Sequence, residues 1–269
     1  INHNIASLMA QKNVARSSGS MTQNYSRLSS GLRISRAADD AAGLGVSENL
    51  RADIASTAVA MRNTNDGISV VQLAEGALSE THSILTRMRE LAMQSSSGTL
   101  GDSERAYLQT ELNAIRDEID RLAEVTEFNG TALLNTSGTV DVQVGIHAGS
   151  NYEISLTLNS AGQSALGIEG LNISNAGSAA DALALIDTAI GSVSNHRATL
   201  GAQQNRLIHA YRNQEVSLEN LTAAESQIRD VDFASETAEL TKNQILSQAG
   251  VSVLAQANFA PQMALTLLG

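Results

Sequence analysis

The stretch SAADALALIDTAIGSVSNHRATLGAQQNRLIHAYRNQEVSLENLTAAESQI, residues 178–228, decides the fold. Apolar positions step by three and four from Leu183 through Ile186, Ile190 and Val193 to Leu200, with Arg197 as an interruption. Gln204 interrupts again before Leu207 and Tyr211. Beyond Gln214 come Leu218, Leu221 and, past Glu225, Ile228. More than six heptads in one register predict a coiled-coil-like helix of about 50 residues, on the order of 75 Å long. Ser178 with Asp181 three residues on suggests a capping box, Asp standing for the usual Glu or Gln.

Other segments repeat the pattern. Val14, Ser18, Met21, Tyr25, Leu28 and Leu32 form one heptad stripe. Leu108, Leu112, Ile115, Ile119 and Leu122 form another, with Asp102 or Ser103 expected as N-cap. Between them residues 41–96 read as a long helix, Leu50, Val71, Leu78, Leu85 and Ala92 sharing one position. A last helix over about 236–268 lines up Leu246, Ala249, Val253, Ala260, Ala264 and Leu267, and Pro261 should bend or break it. The only strand signal is central. Val140, Val142 and Val144 alternate with polar residues, as do Tyr152, Ile154, Leu156 and Leu158, so the two runs predict a β-hairpin across GIHAGSN. Residues 159–178 read as loop. The fold class is therefore mainly α: long antiparallel coiled-coil-like helices with one small β-hairpin region.

Composition agrees. The 269 residues include one proline, against roughly 5% in ordinary chains, and long helices tolerate little proline. Tryptophan and cysteine are absent, so disulfides and thiolate chemistry are excluded. Lys12, Arg16, Arg27, Arg33 and Arg36 are the only charges in residues 1–38, and Lys242 the only one in 241–269. The acidic residues fall between, a balance poorly suited to nucleic acid. No apolar run reaches the roughly 18 residues of a membrane span, and no secretory signal is visible in INHNIASLMAQKNVAR. Each end is one amphipathic helix, marginal alone in water. The two must pack on each other or on other chains, and with no acid on either the contact should be apolar.

Chemistry is sparse. His3, His82, His147, His196 and His209 are scattered without metal-ligand spacing. Asp39 and Asp40 serve better as a favourable charge at a helix start than as an acid pair. Gly43-x-Gly45 lacks a third glycine and a preceding strand. No enzyme and no cofactor is expected.

Several motifs in fixed order resemble the bacterial flagellins. They are LSSGLRISRAADDAAGLGVSENLR (28–51), NTNDGISVVQLAEGALSE (63–80), RMRELAMQSSSGT (87–99) and EFNGTALL (127–134) in the first half. LGAQQNRL (200–207), ENLTAAESQIRDVDFASETAELTKNQIL (219–246) and QANFAPQMALTLLG (256–269) follow in the second. The resemblance implies a structural subunit exported through the flagellar type III apparatus and polymerised into the flagellar filament. It places that filament outside the cell, or in the periplasm for a spirochaete. It implies a terminal-helix domain of 1–38 with 235–269, a helical body of 39–234, and a polymerisation seam through Val14, Met21, Tyr25, Leu28, Leu246, Val253 and Leu267. Implied partners are other copies of the chain, an export chaperone, and the filament cap and hook-junction proteins. A host toll-like receptor is implied as well, at Arg87, Leu91 and Glu111. Only about 45 residues, 136–180, separate the two matching halves, which fits a minimal form without large outer domains; leading residues before Ile1 are expected to be missing. The alternatives are a hook–filament junction protein and, in a different class, an amphipathic membrane-surface protein. The polar helix faces carry Ser, Asn, Gln and acids in place of Lys-rich stripes, which disfavours the second.

Overall fold

The computed structural model describes residues 3–268, with side chains through 259. Five helices carry most of the chain: α1 (Ile5–Ser30), α2 (Ala41–Ser96), α3 (Asp102–Val125), α4 (Ala176–Arg229) and α5 (Phe233–Leu268). Two hairpins lie between α3 and α4: β1 (Glu127–Phe128) with β2 (Thr131–Ala132), and β3 (Gly138–Gln143) with β4 (Glu153–Leu158). The chain divides into two compact units, Ile1–Ile54 with Glu219–Gly269, and Ala55–Leu218.

In the Ala55–Leu218 unit α2 and α4 run antiparallel. Thr64 meets Gln214, Glu75 meets Arg197 and Arg89 meets Asp187, one number rising as the other falls. Their facing seams bury Val71, Leu78, Leu85 and Ala92 against Ile186, Val193, Leu200 and Leu207, the positions the heptads predict. α3 adds Leu112 and Ile119, and the second hairpin adds Val142, Ile154, Leu156 and Leu158. Hairpin side chains alternate as a half-buried pair should, Ile154, Leu156 and Leu158 inward and Ser155 and Thr157 outward.

Residues 159–175 are a strap, irregular in backbone yet part of the core. Ala161, Leu166, Ile168, Leu171 and Ile173 are buried. The backbone is held by short turns of its own and by side chains of α3 and α2, in place of a ladder. Gln109 donates to the Leu171 carbonyl (3.2 Å) and accepts from Ile173 N–H (2.6 Å). Arg116 donates to the Glu169 carbonyl (2.8 Å), Asp120 accepts from Gln163 N–H (2.8 Å), and Ser95 Oγ donates to the Ile173 carbonyl.

Several sequence expectations need correction. A second hairpin exists at EFNGTA. Asn129 (φ 49°) and Gly130 (φ 77°) form its two-residue turn, the left-handed pair that Asn-Gly favours. The α4 cap is Asn175, whose Oδ1 accepts from Ser178 N–H (2.8 Å), three residues before the expected Ser178. α3 starts at Asp102 after Gly101 with no side-chain cap; Asp102 pairs with Arg105 instead (3.1 Å). Leu32 lies outside α1, because Gly31 ends that helix in the left-handed region at φ 72°. α5 continues past Pro261 to Leu268 without a break.

Candidate assembly surface on the terminal helices

In the other unit α1 and α5 are both helical and run antiparallel side by side. Small residues let their backbones come close. Ser7 and Ala10 are buried on α1, and a Cβ built on Gly250 would sit 2.7 Å from Val14 Cγ2. Polar groups close the rest. Asn4 caps α1 by accepting from Ser7 N–H (3.1 Å) and donates across to the Ala257 carbonyl (2.7 Å). Ser7 Oγ donates to Asn258 Oδ1 (2.8 Å), Gln244 Nε2 donates to the Tyr25 hydroxyl (3.1 Å), and buried Asn24 lies between Ser20 O and Leu240 N. Arg27 meets Glu236 at 3.8 Å. The expectation of a wholly apolar contact is thus corrected. Glu236 and Glu239 lie in the first turns of α5, ahead of the acid-free residues 241–269.

The large apolar side chains are left over. Ile5, Leu8 and Met9 on α1 and Ile245, Leu246, Val251, Val253 and Phe259 on α5 are 49–68% exposed. Of the expected seam, Val14, Met21 and Leu28 are half-buried, whereas Tyr25, Leu246 and Val253 stand exposed. The Leu267 side chain falls outside the described residues. Leu246 and Val253 also line a groove of about 400 Å³ with Ala10, Asn13, Arg16 and Gly250. Sequence periodicity found the large residues but missed Ser7, Ala10 and Gly250, whose small size was the available signal for close helix approach.

The three receptor-expected residues lie in the Ala55–Leu218 unit and are not equivalent. Arg87 on α2 donates through Nε (3.2 Å) and Nη2 (2.8 Å) to Glu111 on α3, and through Nη1 to Glu90 (3.0 Å). Glu111 first, then Glu90, hold the guanidinium pKa above its ordinary value. Leu91 is 1% exposed and belongs to the core. Among the described residues no three His, Cys, Asp or Glu are grouped to hold a metal ion, and no helix is long and apolar enough to cross a membrane.

Residues 1–139 match the bacterial flagellin N-terminal helical region, and residues 183–268 the bacterial flagellin C-terminal helical region. The chain belongs to the bacterial flagellin family. It is 48% identical to a flagellin of Halalkalibacterium halodurans over 272 aligned residues, and 44% identical to a flagellin of Bacillus subtilis over 305. Both alignments cover 100% of this chain and 99% of the relative. Among solved structures, the crystal structure of Bacillus cereus flagellin is 32% identical with a TM-score of 0.51, covering 57% of this chain and 88% of that one. Both matched ends of this flagellin hold the long helices, and the strap and the β3–β4 hairpin lie largely between the matched regions.

Proposed function

We propose that this flagellin, a structural subunit of the flagellar filament, polymerises through the apolar flanks of α1 and α5. One observation carries the reading: the two helices are already paired, yet ten large hydrophobic side chains, Tyr25 and Phe233 among them, remain exposed on their described residues. Exposed large apolar side chains gathered on two paired helices mark an interaction site, and a helical homopolymer supplies the partner by repetition. The same flank is what an export chaperone has to cover before assembly, and what filament cap and hook-junction proteins have to meet. The filament extends outside the cell, or within the periplasm if the flagellum is a spirochaete's. A monomer trimmed by limited proteolysis of α1 and α5 should keep its helical body and fail to elongate filament seeds in negative-stain images. Elongation by the trimmed protein overturns the assignment.

A second reading rests on the surface ion pair. Arg87 and Glu111 are 52% and 43% exposed and joined on one face, a charged patch suited to a host leucine-rich-repeat toll-like receptor. An interfacial Arg of this kind is a frequent hot spot. Arg87→Ala should cut receptor-reporter signalling by monomeric protein while leaving its melting temperature nearly unchanged. An unchanged signal, or none from the intact monomer, sinks this reading. Buried Leu91 would act only by supporting the patch from beneath.

A further inference from the structure

All of the oxidisable sulfur in this chain is thioether, in six methionines and no cysteine. The side chains of five are described, and burial sorts them into three grades. Met88 is fully buried in the core, Met21 and Met61 are half-buried, and Met9 and Met93 are 65% and 53% exposed. The two exposed ones differ in their surroundings. Met93 lies near the end of α2 in the Ala55–Leu218 unit. Met9 lies on α1 next to exposed Leu8 and one turn after exposed Ile5, within the flank read above as the assembling surface. Leu8, Met9, Lys12 and Ala15 share one open face of that helix. A methionine suits a surface that must fit a repeated partner, because its unbranched side chain adapts to irregular gaps. Its thioether is also the group on this flank that a mild oxidant turns from apolar to polar. The neighbouring Ile and Leu side chains offer a peroxide no such chemistry.

We propose that Met9 is an oxidation site that gates assembly: as the sulfoxide it keeps the subunit out of the filament, and incorporation shields the thioether. The proposal rests on the reading of α1 and α5 as the assembling surface. The oxidant is a peroxide. A lone pair of Met9 Sδ attacks one peroxide oxygen, and the S–O bond forms as the O–O bond breaks. With hydrogen peroxide, a proton passes to the departing oxygen, which leaves as water. The thioether gives up two electrons and the peroxide takes them. Water satisfies the new S–O group in the free subunit, which leaves Met9 uncovered whether or not α1 is helical. Covering it among Ile5, Leu8 and the apolar side chains of another copy strips that water away, so the flank loses affinity for its partner. A thiol-dependent reductase reverses the step: the oxygen leaves as water while two thiols become a disulfide.

The test treats monomer with hydrogen peroxide, removes the oxidant, reads oxygen at each methionine by peptide mass spectrometry, and adds the protein to filament seeds. Met9 and Met93 should gain oxygen well before Met88. Oxidised wild-type monomer should elongate seeds at least fivefold more slowly than untreated monomer. Met9→Leu should lose less than twofold on the same treatment, whereas Met93→Leu should slow as the wild type does. Met9→Gln places a polar group of similar length there without any oxidant and should be slow from the start. Undiminished elongation by oxidised wild type or by Met9→Gln, or a full loss in oxidised Met9→Leu, overturns the proposal. Finished filaments check the assembly reading separately, since Met9 there should take up oxygen at least tenfold more slowly than in monomer. Equal uptake removes Met9 from the interface and overturns both. Protection in the filament with unimpaired elongation by oxidised monomer overturns the oxidation gate alone.

Discussion

Arg197 on α4 and Glu75 on α2 are joined by two bonds to one oxygen, Nε at 3.1 Å and Nη2 at 2.7 Å from Glu75 Oε1. The pair sits where the apolar heptad of α4 is interrupted, so the interruption has a partner on the opposite helix. Both side chains are about one-third or more exposed, 34% and 40%, so solvent screens the attraction. Such a pair contributes about 0.2–1 kcal/mol. Arg197→Leu should therefore change stability by less than about 1 kcal/mol, because restored apolar packing offsets the lost bonds. Thermal unfolding followed by circular dichroism measures it. A loss of several kcal/mol would show the pair to be a structural anchor.

Leu207 is fully buried and packs close to Gly67, whose built Cβ would lie 3.5 Å from Leu207 Cδ1. Leu207→Asp leaves an unpaired carboxylate there and should cost on the order of 3–5 kcal/mol. Thr199 is half-buried, and its hydroxyl only donates back to the Asn195 carbonyl (3.0 Å). Thr199→Asp should cost less than about 1 kcal/mol. Urea unfolding of both variants compares them directly, and equal losses contradict the helix register.

Gly130 holds φ 77° in the β1–β2 turn with open space around it. Gly130→Val places a β-branched residue in the left-handed region and should cost about 1–2 kcal/mol. Asn129→Gly, at φ 49°, should be nearly neutral in the same chemical-denaturation assay.

His196 is partly buried, its Nδ1 lacks a partner, and burial pushes its pKa below the ordinary 6.5. The unfolded chain takes the proton near 6.5 and the folded chain only at lower pH. Between those values the unfolded state binds more protons, so stability is full above 6.5 and falls as pH drops. His196→Gln should flatten this decline in melting curves recorded between about pH 7 and pH 5. Asp39 acts at lower pH. Backbone bonds from Arg36, then Ser35, hold its pKa below 3.8, so its contribution is lost only as the medium becomes more acid than that.

Long helices were legible because their signal repeats. The step from Leu183 to Ile228 predicts nearly the whole of α4, and Leu78, Leu85 and Ala92 mark the buried face of α2. Single-residue decisions were less so. Asn175 and Ser178 are both good caps, and only tertiary position selects Asn175. The Asn129–Gly130 turn was readable from the dipeptide but is flanked by strands of two residues, too short for periodicity. The contact between α1 and α5 was hardest, since large apolar residues dominate any pattern while Ser7, Ala10 and Gly250 make the close approach. Burial of Leu91 likewise depends on where α3 lies against α2, which spacing along α2 alone does not say.

The strap has a consequence for the order of folding. Beside turns of its own, its backbone is tied to the helices through the side chains of Gln109, Arg116, Asp120 and Ser95, and those bonds exist only after α2 and α3 stand in place. It is therefore late on the way in and early on the way out, a sub-global opening that frees the strap while the helices still stand. Each opening exposes Ile168 and Ile173, both fully buried in the closed state. In amide exchange the strap should form its own unit, with protection below that of the α2 and α4 seam and lost together along its length.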